Sequence, residues 1–90
     1  MNLFFGIGKI LVDIDYGFLI DSKSFSAANT LLEICQYYNS TNTTTVKIKG
    51  YDYIADRMYQ NLSKNSNIFL KGRLLNDGVI EVLDFKILKV

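Results

Sequence analysis

Two short segments of this sequence alternate mainly apolar residues with polar, cationic or aromatic ones. The alternate positions are Thr45, Lys47 and Lys49 in the first segment, and Phe69, Lys71 and Arg73 in the second. Successive side chains of a β-strand point to opposite faces, so each set would share one face of a strand. Lysine and arginine on such a face can contact phosphates, and aromatic rings can stack on bases. The same alternation is typical of any solvent-facing strand of an antiparallel sheet, so both interpretations stay open.

Histidine and cysteine, two residue types on which many enzyme and metal sites depend, are scarce in this chain. It contains no histidine, which excludes Ser-His-Asp and Cys-His arrangements and imidazole ligands for a metal. Its one cysteine, Cys35, excludes an internal disulfide and a zinc site built from several thiolates. Gly6 and Gly8 do not begin a phosphate-binding motif and are more typical of a strand bulge. We therefore expect a binding protein with no catalytic residues, no metal and no cofactor.

Length and composition favour one small soluble domain over residues 1–90. The chain has 90 residues, of which 49% are hydrophobic, and a chain of this length forms a single core. Its apolar runs are much shorter than the roughly 20 residues of a membrane span, so no membrane contact is expected. The net charge is only +1, so contact with a nucleic acid would require a local basic patch.

Two features bear on where the protein acts. The N-terminus has no basic segment ahead of an apolar run, so we expect a protein that is not secreted. Lysine outnumbers arginine, and asparagine, isoleucine, tyrosine and phenylalanine are frequent, a bias expected from an AT-rich genome. A cytoplasmic or organelle-encoded protein, including one of the plastid stroma, fits these features.

The periodicity of apolar residues predicts five strands and one helix. The predicted strands are Asn2–Ile14, Ala27–Tyr38, Thr45–Gly50, Asn67–Leu75 and Val79–Val90, and the predicted helix is Asp52–Ser63. The second strand is ambiguous, because its residues could also form a short helix, and we choose the strand. Asp52 is expected to cap the helix, and the Asn76–Gly78 turn to join the last two strands. Three strands, a helix and two strands follow the order of an OB-fold, so we predict an all-β, five-stranded Greek-key barrel with a small helix between its third and fourth strands.

The segment from Val46 to Val82 resembles the core of bacterial-type single-stranded DNA-binding proteins. A strand VKIKG, a helix IADRMYQNLSKNS and a strand IFLKGRL follow one another, and the last strand then opens with Glu81. Residues 71–74, Lys-Gly-Arg-Leu, match the family's Glu-Gly-Arg-Leu motif except at the first position. The N-terminal NLFFGIGKI, with Gly8, and the Ala28–Asn29 pair also resemble the start of the family's first and second strands. The resemblance implies an OB-fold that binds single-stranded DNA, in a short and divergent member that could be plastid-encoded.

The sequence departs from the family pattern at the positions where bases stack. Family members stack bases on aromatic side chains of strands 2, 3 and 4 and of the long loop between strands 4 and 5. The two aromatic positions of strand 3 are Thr43 and Lys49 here, and the short Asn76–Gly78 turn replaces the long loop. Tyr38 on the second predicted strand and Phe69 on the fourth remain at suitable positions.

The leading hypothesis is sequence-independent binding of single-stranded DNA, in replication or repair, by a basic and partly aromatic groove. The predicted binding residues are Tyr38, Thr45, Lys47, Lys49, Phe69, Lys71 and Arg73. RNA is a second possible ligand of the same groove. The alternative is a non-catalytic protein-interaction module that kept the barrel and lost nucleic-acid binding.

Self-association is a further expectation. The family resemblance implies a homo-oligomer, either a dimer or a tetramer. The apolar run at Leu3, Phe4, Phe5 and Ile7 also offers more hydrophobic surface than one small barrel can bury.

Overall fold

The chain folds into a closed barrel of five strands that carries one helix. A computed structural model describes residues 2–20, 23–35 and 42–89. Its elements are β1 (Leu3–Ile10), β2 (Asp15–Phe18), β3 (Ser26–Cys35), β4 (Thr43–Tyr51), α1 (Asp52–Asn61), β5 (Asn67–Leu74) and β6 (Ile80–Leu88). The sheet order is β1-β5-β6-β4-β3-β2, and a second pairing of β1 with β3 closes the barrel. The closed ring contains β1, β3, β4, β5 and β6, and β2 pairs with β3 beside it. The predicted OB-fold is therefore confirmed, with the helix between the third and fourth barrel strands.

The first predicted strand, Asn2–Ile14, differs most from the structure: β1 ends at Ile10, residues 11–14 form a bend, and β2 begins at Asp15, beyond the predicted end. β1 pairs with β3 up to the pair of Ile10 with Leu32, and β2 resumes that pairing at Asp15 with Asn29. Four residues of the bend thus face only two residues of β3, which makes the bend a bulge. The sequence interpretation that placed a bulge at the N-terminal glycines is wrong, since β1 pairs with β5 without a break from Leu3 to Lys9.

Hydrogen bonds to two parts of the chain hold this bend in place. The Thr30 hydroxyl donates to the Val12 carbonyl at 2.7 Å, and Thr30 is itself buried. The Leu11 N–H donates to the Leu31 carbonyl at 2.9 Å. On the other side, the Lys64 N–H donates to Asp13 Oδ1 at 3.0 Å. The bend is consequently held against both β3 and the segment that follows α1.

The barrel interior and the inner face of α1 form one hydrophobic core. The largest fully buried side chains are Ile10, Leu32, Ile48, Met58, Ile68 and Leu70. Met58 and Leu62 are buried and Ile54 packs partly buried against them, so the four-residue repeat that predicted the helix is confirmed. Of the described residues, none form a helix long and apolar enough to cross a membrane.

Asp52 does not cap the helix, which corrects the sequence prediction. Tyr51 occupies the N-cap position without a side-chain cap, and Asp52 begins the helix with a φ of 52°. The Asp52 carboxylate instead accepts the N–H groups of Phe25 and Ser26, at 2.6 and 3.3 Å. These hydrogen bonds, the one from Phe25 above all, lower the pKa of Asp52 below its ordinary value. Asp52 therefore ties the start of β3 to the start of α1.

Gly8 lies where β1 and β3 meet to close the barrel, and it permits a close approach there. A Cβ atom at Gly8 would lie 2.6 Å from the Glu33 carbonyl oxygen and 2.8 Å from Leu32 Cγ. Gly17, on β2, has nothing within 4 Å of the corresponding position.

We expect Gly8→Ala to destabilise the protein by about 1–3 kcal/mol, because the added methyl would force β1 and β3 apart. Gly17→Ala is the matched control and should stay within about 0.5 kcal/mol of the wild type. Urea unfolding followed by circular dichroism measures both. Equal stability of the two variants would contradict this account of Gly8.

We also expect Asp52 to make the fold acid-sensitive. Its pKa is lower in the folded protein than in the unfolded chain, so its ionised form stabilises the fold at neutral pH. That contribution is lost as the pH falls through the folded pKa, which lies below the ordinary value of 3.8. Asp52→Asn keeps an oxygen acceptor and removes the charge. In urea unfolding the wild type should therefore be more stable than the variant at neutral pH, and the difference should shrink below about pH 4. A difference that does not change with pH would refute the assignment.

Candidate nucleic-acid interface

A cavity of about 400 Å³ lies on the outer face of β3 and β4. Its floor contains Asn29 and Leu31 from β3 and Lys47 and Lys49 from β4. One wall consists of Val12, Asp13 and Asp15, and the opposite wall of Leu75, Asp77 and Val79. The volume is within the range of ordinary ligand sites.

The alternation of β4 places the lysines in this cavity. Ile48 is buried in the core, and the neighbouring Lys47 and Lys49 point outward, as the sequence predicts. On the outer surface Lys47 lies beside Leu31, and Lys49 lies beside Asn29. The floor thus places two cationic side chains beside one apolar side chain, Leu31, and one amide side chain, Asn29.

A tight turn between β5 and β6 builds the second wall, which confirms the predicted hairpin. Gly78 has a φ of 84°, a value that glycine adopts readily. The Leu75 N–H donates to the Val79 carbonyl at 2.9 Å, and the Val79 N–H donates to Asp77 Oδ1 at 3.1 Å. These hydrogen bonds fix the conformation of the turn. Because the turn is short, it leaves the cavity open above β4.

The charges of the cavity are mixed, and this was not expected from the sequence. Lys47 and Lys49 are accompanied by Asp13, Asp15 and Asp77. The Lys49 ammonium lies 5.4 Å from the centroid of the Tyr51 ring, within cation–π range. Asp13 comes from the bend, Asp15 from the start of β2 and Asp77 from the turn, and the places of all three beside β4 depend on the barrel as a whole. Sequence reasoning therefore missed them, although the turn-forming residues around positions 13–15 mark a change of chain direction.

Five polar side chains form one line across the outer surface, which we call the polar row. In strand order it consists of Asp15, Asn29, Lys49, Glu81 and Arg73, each at the register position next to the one before. Side chains at such positions have Cβ atoms about 4.5–5.5 Å apart. Arg73 Nη2 lies 2.6 Å from Glu81 Oε1, so this arginine is already paired. The first three members line the cavity, and the last two continue the row across β6 to β5.

The structure divides the predicted binding residues into two groups, because β6 lies between β4 and β5. Lys47 and Lys49 line the cavity, Thr45 is exposed further along the same face of β4, and Arg73 ends the polar row. Phe69 and Lys71 lie beyond β6 in a shallow depression of about 140 Å³. Tyr38 is outside the described residues.

Phe69 belongs to a second surface, which we call the apolar face. It consists of Leu3, Phe5 and Ile7 from β1 and Phe69 from β5, whose exposed fractions range from 40% to 59%. The rings of Phe5 and Phe69 lie 6.4 Å apart. Phe4, which the sequence placed in the same apolar run, packs against the core instead.

Comparisons with known proteins identify the fold. No family model matches the sequence, and no curated protein sequence matches it. Among solved structures, the chain is similar to the SSB domain of a protein from Synechococcus sp., with a TM-score of 0.82 and 16% identity over 94% of this chain and 93% of that chain. It is also similar to a small single-stranded DNA-binding protein from Streptomyces coelicolor, with a TM-score of 0.82 and 15% identity over 97% and 94% of the two chains.

A third similar structure is a single-stranded DNA-binding protein from Thermus aquaticus. Its TM-score is 0.80 at 15% identity, over 100% of this chain and 41% of that chain. These likenesses confirm that the chain has the fold of single-stranded DNA-binding proteins, as the sequence resemblance implied. They give no support to a plastid origin, which stays a prediction.

Proposed function

We propose that this protein binds single-stranded DNA, in replication or repair, by holding the strand in the cavity across β3 and β4. The observation that carries the proposal is the cavity itself, whose floor presents Lys47 and Lys49 between two fixed walls. Its support from comparison is that similar structures are those of single-stranded DNA-binding proteins. No step of this function requires a catalytic group.

Binding would begin with electrostatic attraction. Lys47 and Lys49 contact phosphates, and the exposed Thr45 hydroxyl extends the contact along β4. Arg73 extends it across β6, but its pairing with Glu81 weakens its attraction for a phosphate. Phe69 and Lys71 would meet only a strand that continues beyond β6.

Affinity should be modest for two reasons. Base stacking contributes about 1–3 kcal/mol per base, and the described part of the cavity offers one aromatic ring, Tyr51. The three aspartates of the walls repel phosphates and offset part of the attraction by the lysines. The strand is therefore held mainly by charge, and its binding should depend strongly on salt.

The apolar face supports a second part of the proposal, which is a homo-oligomer. Four large apolar side chains lie together on β1 and β5, and another copy of the chain could cover them. These strands are not the ones that floor the cavity. Association through the apolar face would leave the lysines of β4 accessible.

We expect binding of fluorescent oligothymidylate to weaken with salt, with a slope of log affinity against log salt near −2 for about three cationic contacts. Lys47→Glu combined with Lys49→Glu should abolish binding, because repulsion replaces attraction at the cavity floor. The control is Lys86→Glu combined with Lys89→Glu, which changes the net charge equally at exposed positions outside the cavity. Fluorescence anisotropy at low salt measures all three proteins. If the cavity variant binds as well as the wild type, the binding site lies elsewhere on the protein. If the wild type does not bind, the protein-interaction module is favoured.

We expect the wild type to sediment as at least a dimer at micromolar concentration. Phe5→Asp should yield a monomer of 10.3 kDa, because it places a charge in the centre of the apolar face. Phe18→Asp is the matched control, since Phe18 is 80% exposed on β2, away from that face. Analytical ultracentrifugation distinguishes these outcomes. A monomeric wild type would disprove the oligomer.

A further inference from the structure

The cavity holds exposed polar side chains that make no hydrogen bond to another described residue. Among the described residues, the side chains of Asp15 and Asn29 have no hydrogen-bond partner. They pair directly across β2 and β3, and Lys49 follows Asn29 across β4. All three line the cavity. The part of the polar row inside the cavity therefore runs from a free acceptor through an amide to a cationic donor.

The three groups differ in what they can bind. An ionised carboxylate only accepts hydrogen bonds, and an ammonium group only donates them. The Asn29 amide can present either its oxygen or its NH₂ group to the same ligand. The order along the row is thus acceptor at Asp15, either kind at Asn29, and donor at Lys49.

Nucleobases differ in the order of groups along their Watson–Crick edges, which are exposed in a single strand. Guanine presents a donor, a donor and an acceptor, and cytosine presents a donor, an acceptor and an acceptor. Both match the row when their amino group faces Asp15. Thymine presents an acceptor at each end with a donor between, so either orientation sets a carbonyl oxygen against the Asp15 carboxylate. Adenine offers its amino group and one ring acceptor, so it matches only two of the three positions.

We propose that the cavity selects guanine or cytosine over thymine at one position of the bound strand. The inference rests on the proposed function and changes one part of it, since the sequence alone predicts binding without base preference. The selection has an attractive component, the amino group donating to Asp15, and a repulsive one, the thymine carbonyl facing the same carboxylate. Lys49 contributes to both affinity and selection, because its ammonium can contact a base oxygen as well as a phosphate.

The test uses labelled thymidine oligonucleotides of roughly 12 nucleotides, a length suited to one OB-fold, in which one central base is varied. Fluorescence anisotropy with the full chain at low salt compares guanine, cytosine, adenine and thymine at that position. We expect a single guanine or cytosine to raise affinity roughly tenfold over thymine, with adenine between. This ratio should persist when salt lowers every affinity, because phosphate contacts are the same in all four oligonucleotides.

Asp15→Asn should reduce the preference to less than about twofold, chiefly by raising the affinity for the all-thymine strand. The variant should fold normally, since the Asp15 side chain is exposed and makes no hydrogen bond to a described residue. Asp77→Asn is the matched control, because it removes an equal charge from the opposite wall, outside the polar row. It should raise all affinities together and preserve the preference.

The outcomes separate this inference from the proposed function. Equal binding of all four oligonucleotides, or equal loss of preference in both variants, overturns the inference and leaves single-stranded DNA binding in place. Absence of binding to any oligonucleotide at low salt overturns both. A preference for thymine would also overturn the inference, since it would require the carboxylate to face away from the base.

Discussion

The hydrogen bond from the Thr30 hydroxyl to the Val12 carbonyl lies at the point where the first strand carries two more residues than β3 can pair. A buried hydroxyl would be costly without a partner, and the Val12 carbonyl accepts its hydrogen bond. The bond fixes the bend between β1 and β2. It thereby supports both the barrel, which closes directly before the bend, and the cavity, whose first wall is formed by the bend and the start of β2. Fold and candidate site thus share one constraint.

Sheet order then distributes the exposed side chains between two surfaces. β6 separates β4 from β5, so the lysine-bearing cavity and the apolar face lie on different strands. Phe69 is placed with Phe5 by the pairing of β1 with β5, and its ring contact follows from that pairing. The separation makes the two parts of the proposed function compatible, because a DNA strand in the cavity would leave the apolar face free for a second copy of the chain.

The mixed charges of the cavity have two opposite consequences for the proposed binding of nucleic acid. Carboxylates beside a phosphate-binding surface weaken general attraction for nucleic acid. In the base selection proposed above, the Asp15 carboxylate is the acceptor that distinguishes one base edge from another, and Lys49 contributes beside it. Asp15 would therefore exchange some affinity for selectivity.

The sequence by itself determined the features that depend on neighbouring residues. Alternation in β4 and β5 predicted that Lys47 and Lys71 point outward, the four-residue repeat predicted that Met58 faces the core, and Asp77–Gly78 predicted a tight turn. The order of these elements, with the family resemblance, was enough to predict the barrel. Each of these signals is local, because the backbone geometry of a strand, a helix or a turn is visible in the types and spacing of residues that are close in sequence.

Tertiary structure alone decided what depends on residues far apart in the chain. The partner of Asp52 lies 27 residues away, and no local pattern distinguishes that role from helix capping. The bulge position depends on how β1 and β2 share β3, and the polar row depends on the register of five strands. A shift of one residue would turn every side chain of a strand to the other face, so the composition of the cavity follows from register. Long-range hydrogen bonding sets that register. The periodicity of a single segment contains no information about it, because register is a relation between two segments.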